Sequence, residues 1–529
     1  MDKTTKDRFS VKNITLLDST LRDGAQAEGI SFTLQDKLNI VRALDEFGID
    51  YIEAGNPGSN PKDLEFFQEA QTLSLRKAQL CAFGATRRPG ESVESDAGVQ
   101  ALLAANTPAV AIVGKASGEQ VQRILRTTLE ENLSMLADTL KCMRNHGKSV
   151  IFDAEHFFDA FLENFEYALK VLKTAHEHGA SILTLCDTNG GRTPTEILEI
   201  TSRVVQELPD ATIGIHTHND CGCAVANAML AVEAGARHVQ GTLSGFGERC
   251  GNADLSVLIP NLVLKKGCSC RIDRMDHLFN LAHRIADIAN ISIPNEKPYV
   301  GRSAFAHKGG MHVDGMLKLK GSFEHIQPSA VGNHRRYLLS EVAGRSAIIE
   351  KIHHIAPELT KDSPETTMII ERLKQMELNG YQFESAEASF ELLVRKCLGL
   401  HKPHFELVLY KTIGEYPAPN GREQASAMIE VRVGENVEIT AALGNGPVHA
   451  LDNALRKALR VFYPQLDQVH LIDYKVRILD AESATAATTR VLIVSSDGHD
   501  TWTTVGVSSD IIEASWLALA DSIEYQLNR

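Results

Sequence analysis

The stretch Ile213-Gly214-Ile215-His216-Thr217-His218-Asn219-Asp220 is an apolar run closed by two histidines spaced i, i+2. On a β-strand, residues two apart point to the same side. Both imidazoles therefore leave the end of this run together, and nothing in strand burial requires such a pair. Two imidazoles at one strand end are well placed to hold one metal ion.

The run 213–215 is one of eight short β-rich runs in the first half of the chain; the others are 14–17, 51–54, 79–83, 109–113, 149–152, 182–185 and 238–241. Amphipathic helical patterns lie between them, as at 34–47, where Leu38, Val41, Leu44 and Phe47 share a face, and at 120–146, 165–178, 195–207 and 224–234. Eight strand-helix units over about 250 residues predict an α/β fold of the (β/α)8, or TIM barrel, class. A doubly wound open sheet competes with it. The strand ends decide for the barrel. Leu21-Arg22-Asp23-Gly24 follows the first run, Glu53 and Asn56 the second, and Asp153-Ala154-Glu155-His156 the fifth. Cys186-Asp187-Thr188-Asn189-Gly190-Gly191 follows the sixth, and Gly245-Phe246-Gly247-Glu248-Arg249-Cys250-Gly251-Asn252 the eighth. Polar side chains gathered at many strand ends are how barrels build sites, whereas an open sheet concentrates them at one switch point.

The pattern changes near residue 290, which sets the expected catalytic barrel at 1–288. A linker region at 289–388 follows, with Pro294 and Pro298, a loop His307-Lys308-Gly309-Gly310-Met311-His312 suited to a lid or arm, and helical stretches at 340–353 and 366–379. The last region, 389–529, carries a pseudo-repeat. A hairpin at 428–442 turning at Gly434-Glu435-Asn436 leads into a helix at 448–461, and a hairpin at 490–507 turning at Asp497-Gly498-His499 leads into a helix at 509–527. Strand-hairpin-helix twice over predicts a compact α+β module.

Composition bounds the function. A chain of 529 residues exceeds one domain, and a net charge of −14 disfavours a nucleic acid or an anionic membrane as partner. Nine cysteines, four of them in the C-x-C pairs Cys221/Cys223 and Cys268/Cys270, do not read as a disulfide framework. The polar start at 1–11 has no apolar core of a signal peptide, and no run approaches the roughly 20 residues of a membrane span. A soluble cytoplasmic protein is expected.

Asp23, just past the first strand and near the seventh in a closed barrel, is the best carboxylate to join His216 and His218 on an ion, and Asn252 can add a carbonyl oxygen. Arg22 is either a structural ion pair or a guanidinium that neutralises a developing oxyanion. Glu155 is a candidate base, with Asp153 and His156 competing for the role. Thr188 and Asn189 suit either a substrate carboxylate or the turn that Asp-Thr-Asn-Gly-Gly favours. The glycines at 245, 247 and 251 lack the spacing of a phosphate fingerprint and serve to aim Asn252 inward.

Asp18-Ser19-Thr20-Leu21-Arg22-Asp23-Gly24-Ala25-Gln26, His216-Thr217-His218-Asn219-Asp220 and the 245–252 loop together resemble the enzymes that condense an acyl-CoA with a 2-oxo acid, the isopropylmalate, homocitrate and citramalate synthases. The resemblance runs over nearly the whole chain, and Gly444-Asn445-Gly446-Pro447-Val448 resembles part of that family's C-terminal allosteric domain. Pro57-Gly58-Ser59-Asn60-Pro61-Lys62-Asp63, Asp153-Ala154-Glu155-His156-Phe157-Phe158-Asp159 and Gly380-Tyr381-Gln382-Phe383-Glu384 are similar to the citramalate-forming branch. The resemblance implies a divalent ion (Mg, Mn, Co or Zn) on Asp23, His216, His218 and Asn252. It implies that Arg22 holds the enolate or alkoxide oxygen, that Glu155 is a catalytic glutamate, and that Arg22, Gln26 and Thr188 bind substrate. It implies that His312 reaches the active site of a partner subunit, hence a homodimer. The implied reaction joins acetyl-CoA and pyruvate to (R)-citramalate, in isoleucine biosynthesis, with isoleucine as feedback inhibitor. Another 2-oxo acid, as in isopropylmalate or homocitrate synthesis, and a metal-dependent acyl-CoA lyase are the alternatives. Two departures stand out: Ser322 and Phe323 occupy a region where some relatives carry a tyrosine, and Ala54-Gly55-Asn56 replaces a Gly-Gly-Trp. Loss of that tryptophan is expected to reshape the oxo-acid pocket.

Overall fold

The computed structural model describes residues 12–337, 345–360, 362–417, 425–479, 487–498 and 500–529. The chain divides into two compact units, 1–305 with 326–334, and 306–325 with 335–529. Parts of the expectations at 1–11, 340–344 and His499 lie outside the described residues.

In the first unit eight parallel strands close a barrel in sequence order: β1 (Thr15–Asp18), β2 (Tyr51–Glu53), β3 (Gln79–Ala85), β4 (Ala109–Lys115), β5 (Ser149–Glu155), β6 (Ile182–Asp187), β7 (Ile213–Thr217) and β8 (His238–Gly241). β8 returns to β1 in the register Leu17 to Gln240, which closes the ring. The helices between strands follow local rules. In the helix Leu34–Phe47, Thr33 and Asp36 form a capping box, Gly48 ends it in the left-handed conformation, and Leu38, Val41, Leu44 and Phe47 are buried. The main core lies between strands and helices. A small second core of Leu17, Cys81, Ala109, Ala111, Ile151 and Ile182 fills the barrel itself.

Strands β3, β5, β6 and β7 run two or three residues beyond the apolar segments that signalled them. Asp153 and Glu155 are therefore strand residues of the same parity as Ile151 and point into the barrel mouth.

The second unit carries a two-stranded pair, β9 (Ala306–His307) with β10 (Arg336–Tyr337), and two three-stranded antiparallel sheets. β11 (Glu406–Gly414), β12 (Ala425–Val433) and β13 (Asn436–Gly444) precede the helix Pro447–Arg460. β14 (His470–Ile478), β15 (Thr489–Ser496) and β16 (Thr501–Ser508) precede the helix Ile511–Leu527. Each half of the expected repeat thus gains one strand ahead of its hairpin. β11 and β14 are edge strands, and each carries a register shift against its neighbour. The inner faces of both sheets and the two helices share one core. The outer face of the second sheet, through Leu492, Val505 and Val507, packs on a further core built from the helices Arg345–His353, Pro364–Leu378 and Glu387–Cys397. All nine cysteines are free thiols. Among the described residues no helix is long and apolar enough to cross a membrane.

Candidate active site

The turn after β1 brings two neighbouring side chains to the barrel mouth. Asp18, fully buried, accepts from the Thr20 amide and hydroxyl at 2.9 Å each, and burial pushes its carboxyl up to about 7. The amides of Arg22 and Gly24 both donate to the Ser19 carbonyl. This tight fold lets Arg22 and Asp23 face the centre together, which an extended strand forbids. Asp23 Oδ2 lies 3.5 Å from His216 Nε2 and 4.0 Å from His218 Nε2, and the two imidazole nitrogens are 3.3 Å apart.

Asn252 completes the cluster. Its backbone bridges to His218, its amide nitrogen donates to the Phe246 carbonyl at 3.0 Å, and its buried Oδ1 has no partner. The glycines of the loop make that placement possible. A side chain on Gly247 (φ 150°) would stand 2.3 Å from Asn252 Nδ2, and one on Gly251 (φ 83°) would stand 2.0 Å from the Gly245 carbonyl oxygen.

These donors fit a divalent cation. Ligand atoms of Asp23, His216 and His218 lie within 4.8 Å of one another, and Asn252, whose side chain reaches Asp23, has an unpartnered oxygen that would supply a fourth. Burial lowers both imidazoles, His218 to about 4, so each offers a lone pair at neutral pH. Burial acts to raise Asp23, but Arg22, then His216 and His218, hold its carboxyl below the ordinary range. One carboxylate, two imidazoles and one amide oxygen make a nitrogen/oxygen set suited to such an ion.

Arg22 is fixed from three sides. Its Nε donates to Glu53 at 2.7 Å, one terminal nitrogen lies 3.2 Å from Asp23, and the guanidinium sits 4.0 Å over the Phe83 ring. Against burial, Glu53 and Asp23 raise its pKa further, so it stays cationic. Glu53 also accepts from the Ser19 hydroxyl. Arg22 and Gln26 line a cavity of about 610 Å³ that also takes in Asn56, Lys62 and Phe83. In its wall Lys37 pairs with Asp63 at 2.6 Å and donates to the Ala54 carbonyl, which fixes the Ala54-Gly55-Asn56 segment.

Glu155 forms an ion pair with Lys115, its register partner on β4. The Thr188 hydroxyl accepts from the His156 amide at 2.9 Å, which leaves its own proton to donate. Asn189 and His156 turn aside to Asp159, as does Arg192. Asp153 is buried beneath the site and accepts from Gln240 at 2.9 Å; burial first, then Glu53, raise it to about 7. Arg249 closes the loops with a two-point pair to Asp220. His312 belongs to the second unit, on the helix Gly310–Lys318, where its ring stacks on Phe323 at 4.3 Å. Lys115, Phe83 and Gln240 carry no role in the sequence reading. The signal that finds them is parity: each is two residues from another inward-facing position on its strand.

Three family models tile the chain: HMGL-like over 13–291, homocitrate synthase post-HMGL domain-like over 299–380, and LeuA allosteric (dimerisation) domain over 384–527. The chain is 48% identical over 517 residues to the (R)-citramalate synthase of Aquifex aeolicus (strain VF5), covering 98% of each chain. It is 49% identical over 527 residues to the (R)-citramalate synthase of Synechocystis sp., covering 97% of this chain and 96% of that one. A probable 2-isopropylmalate synthase of Methanopyrus kandleri is 32% identical over 504 residues, covering 95% and 96%. With a closed barrel, an Asp/His/His cluster at its mouth and full-length identity of this order, the chain belongs to the HMGL-like family and, within it, to the family of (R)-citramalate synthases.

Proposed function

We infer that this protein condenses acetyl-CoA with pyruvate and water to give (R)-citramalate and CoA, as a cytoplasmic homodimer serving isoleucine biosynthesis. The observation that carries the reading is the end-to-end match to enzymes of that name, in a chain whose barrel mouth gathers Asp23, His216 and His218. A divalent ion held by these residues and Asn252 supplies Lewis acidity to a carbonyl oxygen. The remaining work falls to side chains. Thr188, with a free hydroxyl proton, donates to the 2-oxo acid carboxylate. A base takes a methyl proton from acetyl-CoA, with Glu155 and His312 as the candidates. The enolate carbon then bonds to the ketone carbon, and Arg22 holds the negative charge that moves to the ketone oxygen. Water cleaves the thioester, and the sulfur leaves as the CoA thiol.

The second unit supports regulation and assembly. A cavity of about 600 Å³, lined by Val448, Asp452, Arg456, Leu471 and Tyr474 among others, has apolar walls and an Asp452–Arg456 ion pair at its edge, a lining open to a small amino acid such as isoleucine. On the outer face of the first sheet Ile413, Val437, Ile439 and Leu443 are 48–60% exposed, an apolar row suited to a second copy.

The test is CoA-thiol release with pyruvate, 2-oxobutyrate, 2-oxoisovalerate and 2-oxoglutarate. The reading requires the highest kcat/KM with pyruvate, loss of turnover on chelation and recovery with Mn²⁺ or Mg²⁺. A preference for 2-oxoisovalerate would reassign the chain to isopropylmalate synthesis.

A further inference from the structure

Beneath the ion ligands lies a buried polar chain that crosses the barrel from β5 to β7. Gln240 is 1% exposed. Its Oε1 faces His216 Nδ1 at 3.0 Å, and its Nε2 donates to Asp153 Oδ1 at 2.9 Å and to Thr184 Oγ1 at 3.1 Å. The placement follows from register. Gly214 on β7 pairs with His238 on β8, so the inward residues two further on, His216 and Gln240, stand side by side. Asp153 on β5 pairs with Thr184 on β6, so the two acceptors for the amide nitrogen stand together across the ring.

We propose that Gln240 is a positioning residue that sets which nitrogen of His216 carries the proton. A primary amide has one acceptor end and one donor end. With Asp153 and Thr184 taking the donor end, only the carbonyl oxygen is left for His216. His216 must then donate from Nδ1, which puts its lone pair on Nε2, the atom that faces Asp23 and His218. With the amide turned over, Gln240 would present N–H to Nδ1 and force the proton onto Nε2, where it blocks ligation. Asp153 and Thr184 thus act on the ion site at one remove, through the orientation of a neutral amide.

The inference rests on His216 being an ion ligand, so its test separates the two ideas. Mn²⁺ binding to the full-length protein is measured by competition with a fluorescent chelator for the parent, His216→Ala, Gln240→Met and Gln240→Glu, with thermal unfolding of each. Gln240→Met keeps length and volume but removes the acceptor, and affinity should fall about 10- to 100-fold. Gln240→Glu keeps an oxygen toward Nδ1 and shares one proton with Asp153; it should bind Mn²⁺ within a few fold of the parent. The Co²⁺ visible spectrum should follow the same split, parent-like in Gln240→Glu and altered in Gln240→Met. Parent-like affinity in Gln240→Met, or equal losses in both variants, would overturn the proposal. If Gln240→Met fails to fold, Gln240→Glu decides alone, since a loss of more than tenfold there contradicts the acceptor role. Parent-like Mn²⁺ binding in His216→Ala would instead overturn the ligand assignment itself.

Discussion

His216 offers one lone pair to the cluster, and no neighbouring side chain replaces it. Removing it should forfeit several kcal/mol of charge stabilisation, which at about 1.4 kcal/mol per decade amounts to roughly a thousandfold in kcat. His216→Ala should therefore lose CoA-thiol release by about that factor while keeping a native circular-dichroism spectrum; substantial turnover in the metal-replete variant would remove the assignment. His238 makes the opposite kind of residue-level prediction. It is fully buried at the lower end of β8, where Nδ1 pairs with the Thr15 hydroxyl at 2.9 Å and Nε2 has no partner, and burial alone pushes it down to about 3. Unfolded, the same imidazole takes a proton below about pH 6.5. Its neutral form therefore favours folding fully above that pH, and the contribution shrinks as pH falls toward 3. Denaturant titrations should find the parent losing roughly 1.4 kcal/mol per pH unit relative to His238→Gln below pH 6.5. Parallel pH curves for the two proteins would contradict this.

At the scale of elements, the eight barrel strands were legible because each is a short apolar run between helical patterns. Their upper ends were not. A hydrophobicity signal stops where inward side chains turn polar, whereas the hydrogen-bonded ladder runs on through Asp153 and Glu155 on β5 and through Thr217 on β7. The chemistry of a barrel begins where the apolar signal ends, so the reading ended the fifth strand just before Asp153 and passed over Gln240 and Lys115 inside their strands. β11 and β14 were missed for a related reason: as edge strands half open to water, they mix charged and apolar residues without a clean alternation. Asn189 had two readings; its side-chain amide donates to Asp159 on the helix after β5, outside its own turn. The glycine loop after β8 was read as a device for aiming Asn252, and its geometry gives a direct check. Gly247→Ala puts a methyl 2.3 Å from Asn252 Nδ2 at a φ of 150°. Strain of about 1–3 kcal/mol is expected, together with a fall in Mn²⁺ affinity and kcat larger than the small drop in Tm would suggest. Unchanged metal affinity would mean that Asn252 does not ligate.

At the scale of the molecule, the second unit is a repeated sheet-and-helix motif whose two outer faces differ. Leu492, Val505 and Val507 of the second sheet are covered by helices of the same chain, whereas Ile413, Val437, Ile439 and Leu443 of the first are bare. Covering the remaining half of one such side chain contributes about 1–1.5 kcal/mol. Ile439→Glu should therefore shift the protein from dimer to monomer in light scattering while leaving the barrel's metal affinity unchanged; a dimer that persists would place the interface elsewhere.

That difference between two like sheets has a thermodynamic meaning. The second sheet is sealed by atoms tethered to it, so its stability is a property of one molecule and is the same in a dilute and a concentrated solution. If the first sheet is sealed by another copy, as proposed above, it obeys mass action instead. Its amides on β13 should exchange with deuterium faster on dilution, while those of β15 keep their rate. On that proposal one half of the repeat is a fixed support, and the other half registers how much of the protein is present.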